Sequence, residues 1–203
     1  MTVTLVLASA SPARLATLRS AGVEPVVMVS GVDESRLDGL PPAELALQLA
    51  ELKCATVAER DDLPSGALVL GCDSVLELDG EAHGKPADAE EAVRRWRSMR
   101  GRSGVLHSGH CLRDTVDGRT AAATASTVVH FADLDDDEIA AYVATGEPLR
   151  VAGAFTIDAL GGAFVSGIEG DHHTVVGVSV PLLRELTAEL GHRWTDLWDT
   201  PSR

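Results

Sequence analysis

The chain is short of several things that would place it quickly. It holds three cysteines in 203 residues, Cys54, Cys72 and Cys111, odd in number and widely spaced. They form neither a disulfide framework nor a metal-ligand spacing, and read as small buried residues in a reducing compartment. No base follows from position that would make one of them a catalytic thiol. Aromatic residues make up 3%, so the expected core is aliphatic, built from Leu, Val and Ala. No apolar stretch reaches the ~18 residues that cross a bilayer. The start of the chain lacks the basic, apolar and cleavage segments of a signal peptide. The expectation is a cytoplasmic protein with no membrane partner. Positive charge is also scarce: 17 Lys and Arg stand against 31 Asp and Glu, for a net charge of −14. Duplex nucleic acid, which needs a basic face, is an unsuitable partner. A small polyanion such as a nucleotide remains admissible, because local charge can oppose the global field, above all beside a divalent cation. The sequence has no G-x-G-x-x-G, no Walker loop and no G-x-S-x-G turn.

What the chain does have is 45% hydrophobic residues, enough for one large domain over 1–203 with a sizeable core. Apolar runs predict strands at 3–7, 26–29, 67–71 continuing through 75–78, 103–115, 119–131, 153–157 and 162–168. Helices are expected at 12 onward, 42–59, 87–100, 135–145 and 181–190. In the second of these, Leu45, Leu49, Leu52 and Thr56 recur on one face. In the third, Ala89, Ala92, Val93, Trp96 and Met99 do so, and Gly101 stops it. Asp79-Gly80 is a hairpin signal. The tail from Gly191 is polar and expected to fray. Helix–strand units mixed with antiparallel hairpins indicate an α/β protein with a mixed sheet, without the regular alternation of a doubly wound fold.

The richest segment is Leu5 to Arg14. An apolar strand stops at Ala8-Ser9-Ala10-Ser11, and Pro12 suits the first turn of a helix. Free N–H groups and hydroxyls then converge on a point that suits an anion, with Arg14 in the first helical turn. Asp73, at the end of another apolar run, is a weak base unless burial or a second carboxylate raises its pKa, or else an oxygen ligand for Mg²⁺. In His83-Gly84-Lys85-Pro86, Gly84 permits close approach and Pro86 stiffens the exit of a loop presenting Lys85. Lys53 edges the apolar face of the 42–59 helix. Asp33-Glu34 is a loop pair suited to a divalent ion or to solvent. Asp135 to Glu138 reads as a helix start, where acids belong. His172-His173, adjacent and on opposite faces of a strand, make a poor ligand pair. Together, Arg14, Lys53 and Lys85 supply positive charge, and Asp33, Glu34 and Asp73 an acidic counterpart. That inventory suffices for phosphoryl chemistry, which depends on positioning and charge neutralisation.

These pieces, in this order, resemble the Maf family of nucleoside triphosphate pyrophosphatases over about residues 4–190. The likeness is carried by Leu7-Ala8-Ser9-Ala10-Ser11-Pro12-Ala13-Arg14, Gly31-Val32-Asp33-Glu34, Lys53, Gly71-Cys72-Asp73-Ser74 and Gly84-Lys85-Pro86. It continues in Gly146-Glu147-Pro148, Ala152-Gly153-Ala154-Phe155 and Ile168-Glu169-Gly170-Asp171. The resemblance implies a mixed α/β fold like that of inosine triphosphate pyrophosphatases, a twisted sheet with flanking helices in two lobes around a cleft. It implies cleavage between the α and β phosphates of a nucleoside triphosphate, a role in clearing non-canonical or surplus nucleotides, and a homodimer. By matching position, Asp73 would accept the proton of the attacking water. Ser9, Arg14, Lys53 and Lys85 would hold phosphates. Glu34, with Asp73, would bind Mg²⁺ or Mn²⁺. A second expectation from the family is a non-enzymatic regulator of cell division and septum formation; retention of Asp73, Lys53, Lys85 and Arg14 together favours the enzyme.

The chain departs from the family pattern where its nucleotide-selective subgroups differ. Ala13 replaces a basic or aromatic residue, Ser74 a Thr, and Asp158 a Gln. It therefore fits neither the dTTP/UTP-preferring nor the 7-methyl-GTP-preferring subgroup cleanly. Ionised Asp158 can only accept hydrogen bonds, which points to a base N–H or amino group opposite it. Gly104 stands where a His is usual.

Overall fold

The computed structural model describes residues 3–33, 37 and 39–199. In chain order the elements are β1 (Leu5–Leu7), α1 (Pro12–Ser20), β2 (Val26–Val27), α2 (Pro42–Ala58), β3 (Leu68–Leu78), β4 (Glu81–His83) and α3 (Ala89–Met99). Then follow β5 (Ser103–Asp114), β6 (Thr120–Phe131), α4 (Asp136–Ala144), β7 (Val165–Glu169), α5 (His172–Val176) and α6 (Val180–Glu189). One seven-stranded mixed sheet runs β2-β1-β3-β5-β6-β7, with β4 also on β3. β1 is parallel to β2 and β3; the remaining pairs are antiparallel. The mixed α/β expectation holds.

β3 organises the molecule. It is one strand where the sequence suggested an interruption at Cys72–Ser74, because β5 pairs with it from Leu68 to Glu77 without a break. On its other edge, β1 pairs with Leu68–Leu70 and β4 with Leu76–Leu78. Residues 71–75 therefore face a notch between the end of β1 and the end of β4. The β3–β4 turn is tight, with Asp79 at φ 55° and Gly80 at φ 81°, the positive angles that a two-residue hairpin needs.

Two cores flank the notch. Near β1, Leu5, Leu7, Leu68, Leu70 and Leu112 pack against α1 and α6. Beyond the notch, Trp96 of α3 is fully buried and meets Phe131, Tyr142 and Phe164 edge-on at centroid distances of 5.6–5.9 Å, with Phe155 against Phe131. The aliphatic core foreseen from composition is met in the first core and again under α2, where Val6, Met28, Ala50, Val57 and Val69 pack together. All three phenylalanines and the single tyrosine gather around Trp96 in the second, where few aromatics suffice because they are pooled.

The opposite face of β3 and β5 is covered by α2, whose backbone touches the sheet. A Cβ at Gly71 would overlap the Ala50 carbonyl oxygen, and one at Gly109 the Ala46 carbonyl. This approach corrects the apolar stripe read from the sequence. The buried positions of α2 are Pro42, Ala46, Leu49, Ala50, Lys53, Cys54 and Val57, whereas Leu45, Leu52 and Thr56 are half-buried. The small residues Ala46, Ala50 and Cys54 sit where the helix backbone meets Gly71 and Gly109, because so close an approach leaves no room there for a longer side chain.

Other expectations are also corrected. Residues 153–157 hold no strand; a short 3₁₀ turn spans Ala152–Ala154, and Gly153, at φ 71°, adopts an angle a strand does not use. His172 and His173 lie on α5, not on a strand, and both are exposed. The second strand is only Val26–Val27. As far as Asp199 the tail is docked: Leu197 is buried in the first core, Val3 N–H donates to the Asp196 carbonyl at 2.8 Å, and Asp199 N–H to that of Gly22 at 2.8 Å. Asp135 caps α4 with a reciprocal bond to Glu138, so the acidic run is a helix start as expected. All three cysteines are buried and free. Among the described residues no helix is long and apolar enough to cross a membrane.

Candidate active site

The notch in the β3 edge collects the reactive side chains. Adjacent strand residues point to opposite faces, so Asp73 turns toward α2 and Ser74 toward α1 and α5. Lys53, on the inner face of α2, places Nζ 2.5 Å from Asp73 Oδ1. Both residues are buried, at 8% and 9% exposure. Lys53 does not merely edge the helix face, as its position among leucines suggested; it is part of the face that meets the sheet. Among the described residues Asp73 Oδ2 has no side-chain partner, and it is the oxygen left for a water or a cation.

Ser11 caps α1, its side chain accepting the Arg14 N–H, and Pro12 opens the helix, as Ser-Pro predicts. The buried Arg14 then forms three bonds at once. Nε donates to the Gly177 carbonyl at 2.9 Å, Nη1 to Ser9 Oγ at 3.1 Å and Nη2 to Ser74 Oγ at 3.0 Å. One guanidinium thus ties together the loop after β1, β3 and the turn after α5. A guanidinium carries five N–H donors; the remainder stay available to an anion.

Behind Ser74 lies a polar chain that the sequence reading missed. Ser108 on β5, the cross-strand partner of Ser74, lies 2.8 Å from it between hydroxyl oxygens. Ser108 Oγ donates to the Thr174 carbonyl at 2.8 Å. His110, two residues on and fully buried, donates from Nδ1 to the Ser108 carbonyl at 2.9 Å and accepts the Ser179 N–H on Nε2 at 2.8 Å. A carbonyl can only accept and an amide N–H only donate, so the ring is neutral with its proton on Nδ1. Burial pushes the His110 pKa down to about 4. The available signal was a run of polar residues, His107, Ser108 and His110, inside a strand otherwise bounded by apolar ones.

Lys85 is exposed in the loop after β4 and makes no ion pair among the described residues. The loop itself is pinned, since the Gly84 carbonyl accepts from Arg95 Nη1 at 2.5 Å and from the Gly153 N–H at 3.0 Å. Arg95, a buried residue of α3 also bonded to Glu91, was unforeseen as the anchor of the Lys85 loop. Ala13 is half-buried on α1. Asp158 is exposed and lines a cavity of about 280 Å³ with Ala16, Thr17, Ser20, His172 and His173. Glu34 lies outside the described residues. Among the described residues no three His, Cys, Asp or Glu side chains are grouped to hold a metal ion.

The Gly146-Glu147-Pro148 segment is structural. The Glu147 carboxylate accepts from Tyr142 Oη at 2.9 Å, Thr156 Oγ1 at 2.6 Å and the Gly161 N–H at 3.0 Å. Burial alone would raise this carboxyl, but the bonds from Thr156, Gly161, Tyr142 and Leu160 together hold it below its usual value.

The family model described as Maf-like protein matches residues 4–190. Three relatives, each named nucleoside triphosphate pyrophosphatase, illustrate the likeness. The one from Streptomyces coelicolor is 62% identical over 96% of this chain and 94% of its own length. That from Salinispora tropica is 63% identical over 96% and 87%, and that from Nostoc punctiforme 51% identical over 95% and 96%. Among solved structures, the Staphylococcus aureus Ham1 protein aligns at 16% identity and a TM-score of 0.39, over 64% of this chain and 72% of that one.

Proposed function

The chain belongs to the Maf family, and we propose that it is a nucleoside triphosphate pyrophosphatase whose water attack is run by Asp73 in the β3 notch. The observation that carries this reading is the Lys53–Asp73 pair, buried beside the Arg14 fork. Lys53 holds Oδ1 and so orients the carboxylate, leaving Oδ2 to receive the proton of a water. The water oxygen forms a bond to the α phosphorus, the bond from that phosphorus to the bridging oxygen breaks, and pyrophosphate leaves with the electron pair. The products are a nucleoside monophosphate and pyrophosphate.

The phosphates lie among Ser9, Arg14, Lys53 and Lys85. Opposite charges about 4 Å apart are worth roughly 4 kcal/mol at an effective dielectric near 20, so several such contacts offset the negative charge of a triphosphate on a chain of net charge −14. Ala13, Ser74 and Asp158 face the nucleoside and set preference among bases. Asp73 offers the carboxylate oxygens that Mg²⁺ or Mn²⁺ takes together with substrate phosphates, and with Glu34 it would hold such an ion. When bound, the ion offsets charge developing on the leaving pyrophosphate. The biological role that follows is removal of non-canonical or surplus nucleotides in the cytoplasm.

The test is pyrophosphate release from a panel of canonical, methylated and oxidised nucleoside triphosphates with Mg²⁺ or Mn²⁺, run beside Asp73→Asn. Turnover that disappears in the variant supports the reading. Release from none of the panel, or equal release by the variant, rejects it.

A further inference from the structure

Arg14 sits between two serine hydroxyls that present opposite hydrogen-bonding characters to the cleft. A serine hydroxyl has one proton to donate and two lone pairs with which to accept. Ser9 Oγ accepts twice, from Arg14 Nη1 at 3.1 Å and from the Ser11 N–H at 3.2 Å. Both lone pairs are engaged, and its proton is the group left for a ligand.

Ser74 is set the other way, and the cause lies one strand behind it. Ser108 is fully buried, so its hydroxyl cannot turn to solvent. Its single proton goes to the Thr174 carbonyl at 2.8 Å. In the 2.8 Å contact between Ser74 and Ser108, Ser108 must therefore accept and Ser74 must donate. Ser74 also accepts from Arg14 Nη2 at 3.0 Å. Its proton is spent inward, one lone pair is taken, and what remains toward the half-open notch is a lone pair.

We propose that Ser108 is a specificity-determining positioning residue: it directs the Ser74 hydroxyl inward, so that Ser74 presents an acceptor and selects a hydrogen-bond donor on the nucleotide. The inference rests on the pyrophosphatase reading and adds what the site recognises. It also orients the substrate. Phosphate oxygens only accept, so they belong at the Ser9 proton, and a donor-bearing part of the nucleoside belongs at Ser74. That donor is an exocyclic amine or ring N–H of the base, or a ribose hydroxyl. Asp158, which lines the cavity beside α1, is a second group that can only accept when ionised, and it reinforces the same preference.

The experiment compares kcat/KM for pyrophosphate release across matched pairs: CTP against UTP and ATP against ITP, which exchange an amine beside a bare ring nitrogen for a carbonyl beside a ring N–H, and CTP against dCTP, which removes a ribose hydroxyl. It is run on the wild type, Ser108→Ala and Ser108→Thr. The wild type is expected to discriminate within at least one pair by about tenfold, the scale of one acceptor left facing another. The base pairs respond if the donor lies on the base, toward CTP and ATP for the amine and toward UTP and ITP for the ring N–H, and the sugar pair responds, toward CTP, if it is a hydroxyl. Ser108→Ala frees the Ser74 proton to turn outward, and the preference should shrink at least about fivefold. Ser108→Thr keeps the hydroxyl and the preference. Should Ser108→Ala fail to fold, Ser74→Ala removes the acceptor itself and should flatten the same ratio. Equal rates within every wild-type pair, an unchanged ratio in the alanine variant, or a ratio lost equally in the threonine variant would overturn the inference while leaving the pyrophosphatase reading intact. Absence of turnover on every nucleotide would overturn both.

Discussion

Lys53 Nζ and Asp73 Oδ1 meet at 2.5 Å across twenty residues of sequence and between a helix and a strand. The pair is nearly dry, with side-chain exposures of 11% and 13%. If Asp73 takes the proton of the attacking water, Asp73→Asn removes the base while keeping shape. Turnover should fall about 10³-fold, within the span for loss of a general base, and near-UV circular dichroism should stay native. Residual activity above about a tenth of wild type would place the base elsewhere.

Arg14 answers to a different measurement. Its three bonds leave in three directions, to Gly177, Ser9 and Ser74, and an ammonium group cannot reproduce that planar fork. Arg14→Lys keeps the charge and should lose on the order of 2 kcal/mol of stability, read from the urea midpoint. The KM for triphosphate should rise at least about tenfold. An unchanged midpoint would mean that the fork does not tie the loop after β1, β3 and the α5 turn together.

Several elements were legible because they lie beside strong local signals. Ser11-Pro12 starts a helix by capping chemistry, Asp79-Gly80 closes a hairpin through positive φ, and Asp135 with Glu138 opens α4. Each of these is decided within a few residues. What stayed hidden depends on strand register. Ser108 and His110 become partners of Ser74 and Ser179 only once β5 is laid against β3 and α6 against β5. The inner face of α2 was misread for a related reason: hydrophobicity favours Leu45 and Leu52, but the contact with Gly71 and Gly109 selects for small side chains. His172-His173 were placed on a strand because nothing within the pair shows that Asp171 caps a helix there.

Gly109 tests that close packing. Its Cα pairs with Asp73 across the strands, and a Cβ there would overlap the Ala46 carbonyl and sit 2.6 Å from Leu47 Cα. These are backbone atoms, which cannot swing aside, so α2 must lift. Gly109→Ala should destabilise by about 2 kcal/mol or more, at the upper end of overpacking effects. Because the shift carries Lys53 away from Asp73, kcat should fall as well. A Tm within a degree or so of wild type would show that α2 is not seated as described.

His110 gives the molecule a defined acid limb of stability. Its pKa is about 4 in the folded protein because burial opposes the charge, whereas an exposed histidine titrates near 6.5. Between those values the unfolded chain binds more protons than the folded one, so stability rises with pH across that window. The contribution is fully present above about pH 6.5, declines as pH falls, and has gone below about pH 4. Its full size is on the order of 3 kcal/mol. The structural event is a lost acceptor: protonated Nε2 can no longer take the Ser179 N–H that starts α6. Urea midpoints measured from pH 7.5 to 4.5 should fall steeply for the wild type. Carboxylates such as Glu147, held low in the fold, lose their share at more acidic pH, because a depressed carboxyl gives up its stabilisation only as pH falls from the unfolded value through the folded one. His110→Gln, which offers an amide oxygen to Ser179 but does not titrate, should start less stable at pH 7.5 and show a markedly flatter profile down to pH 5. Parallel profiles for the two proteins would assign the acid limb to other groups and leave His110 with a packing role alone.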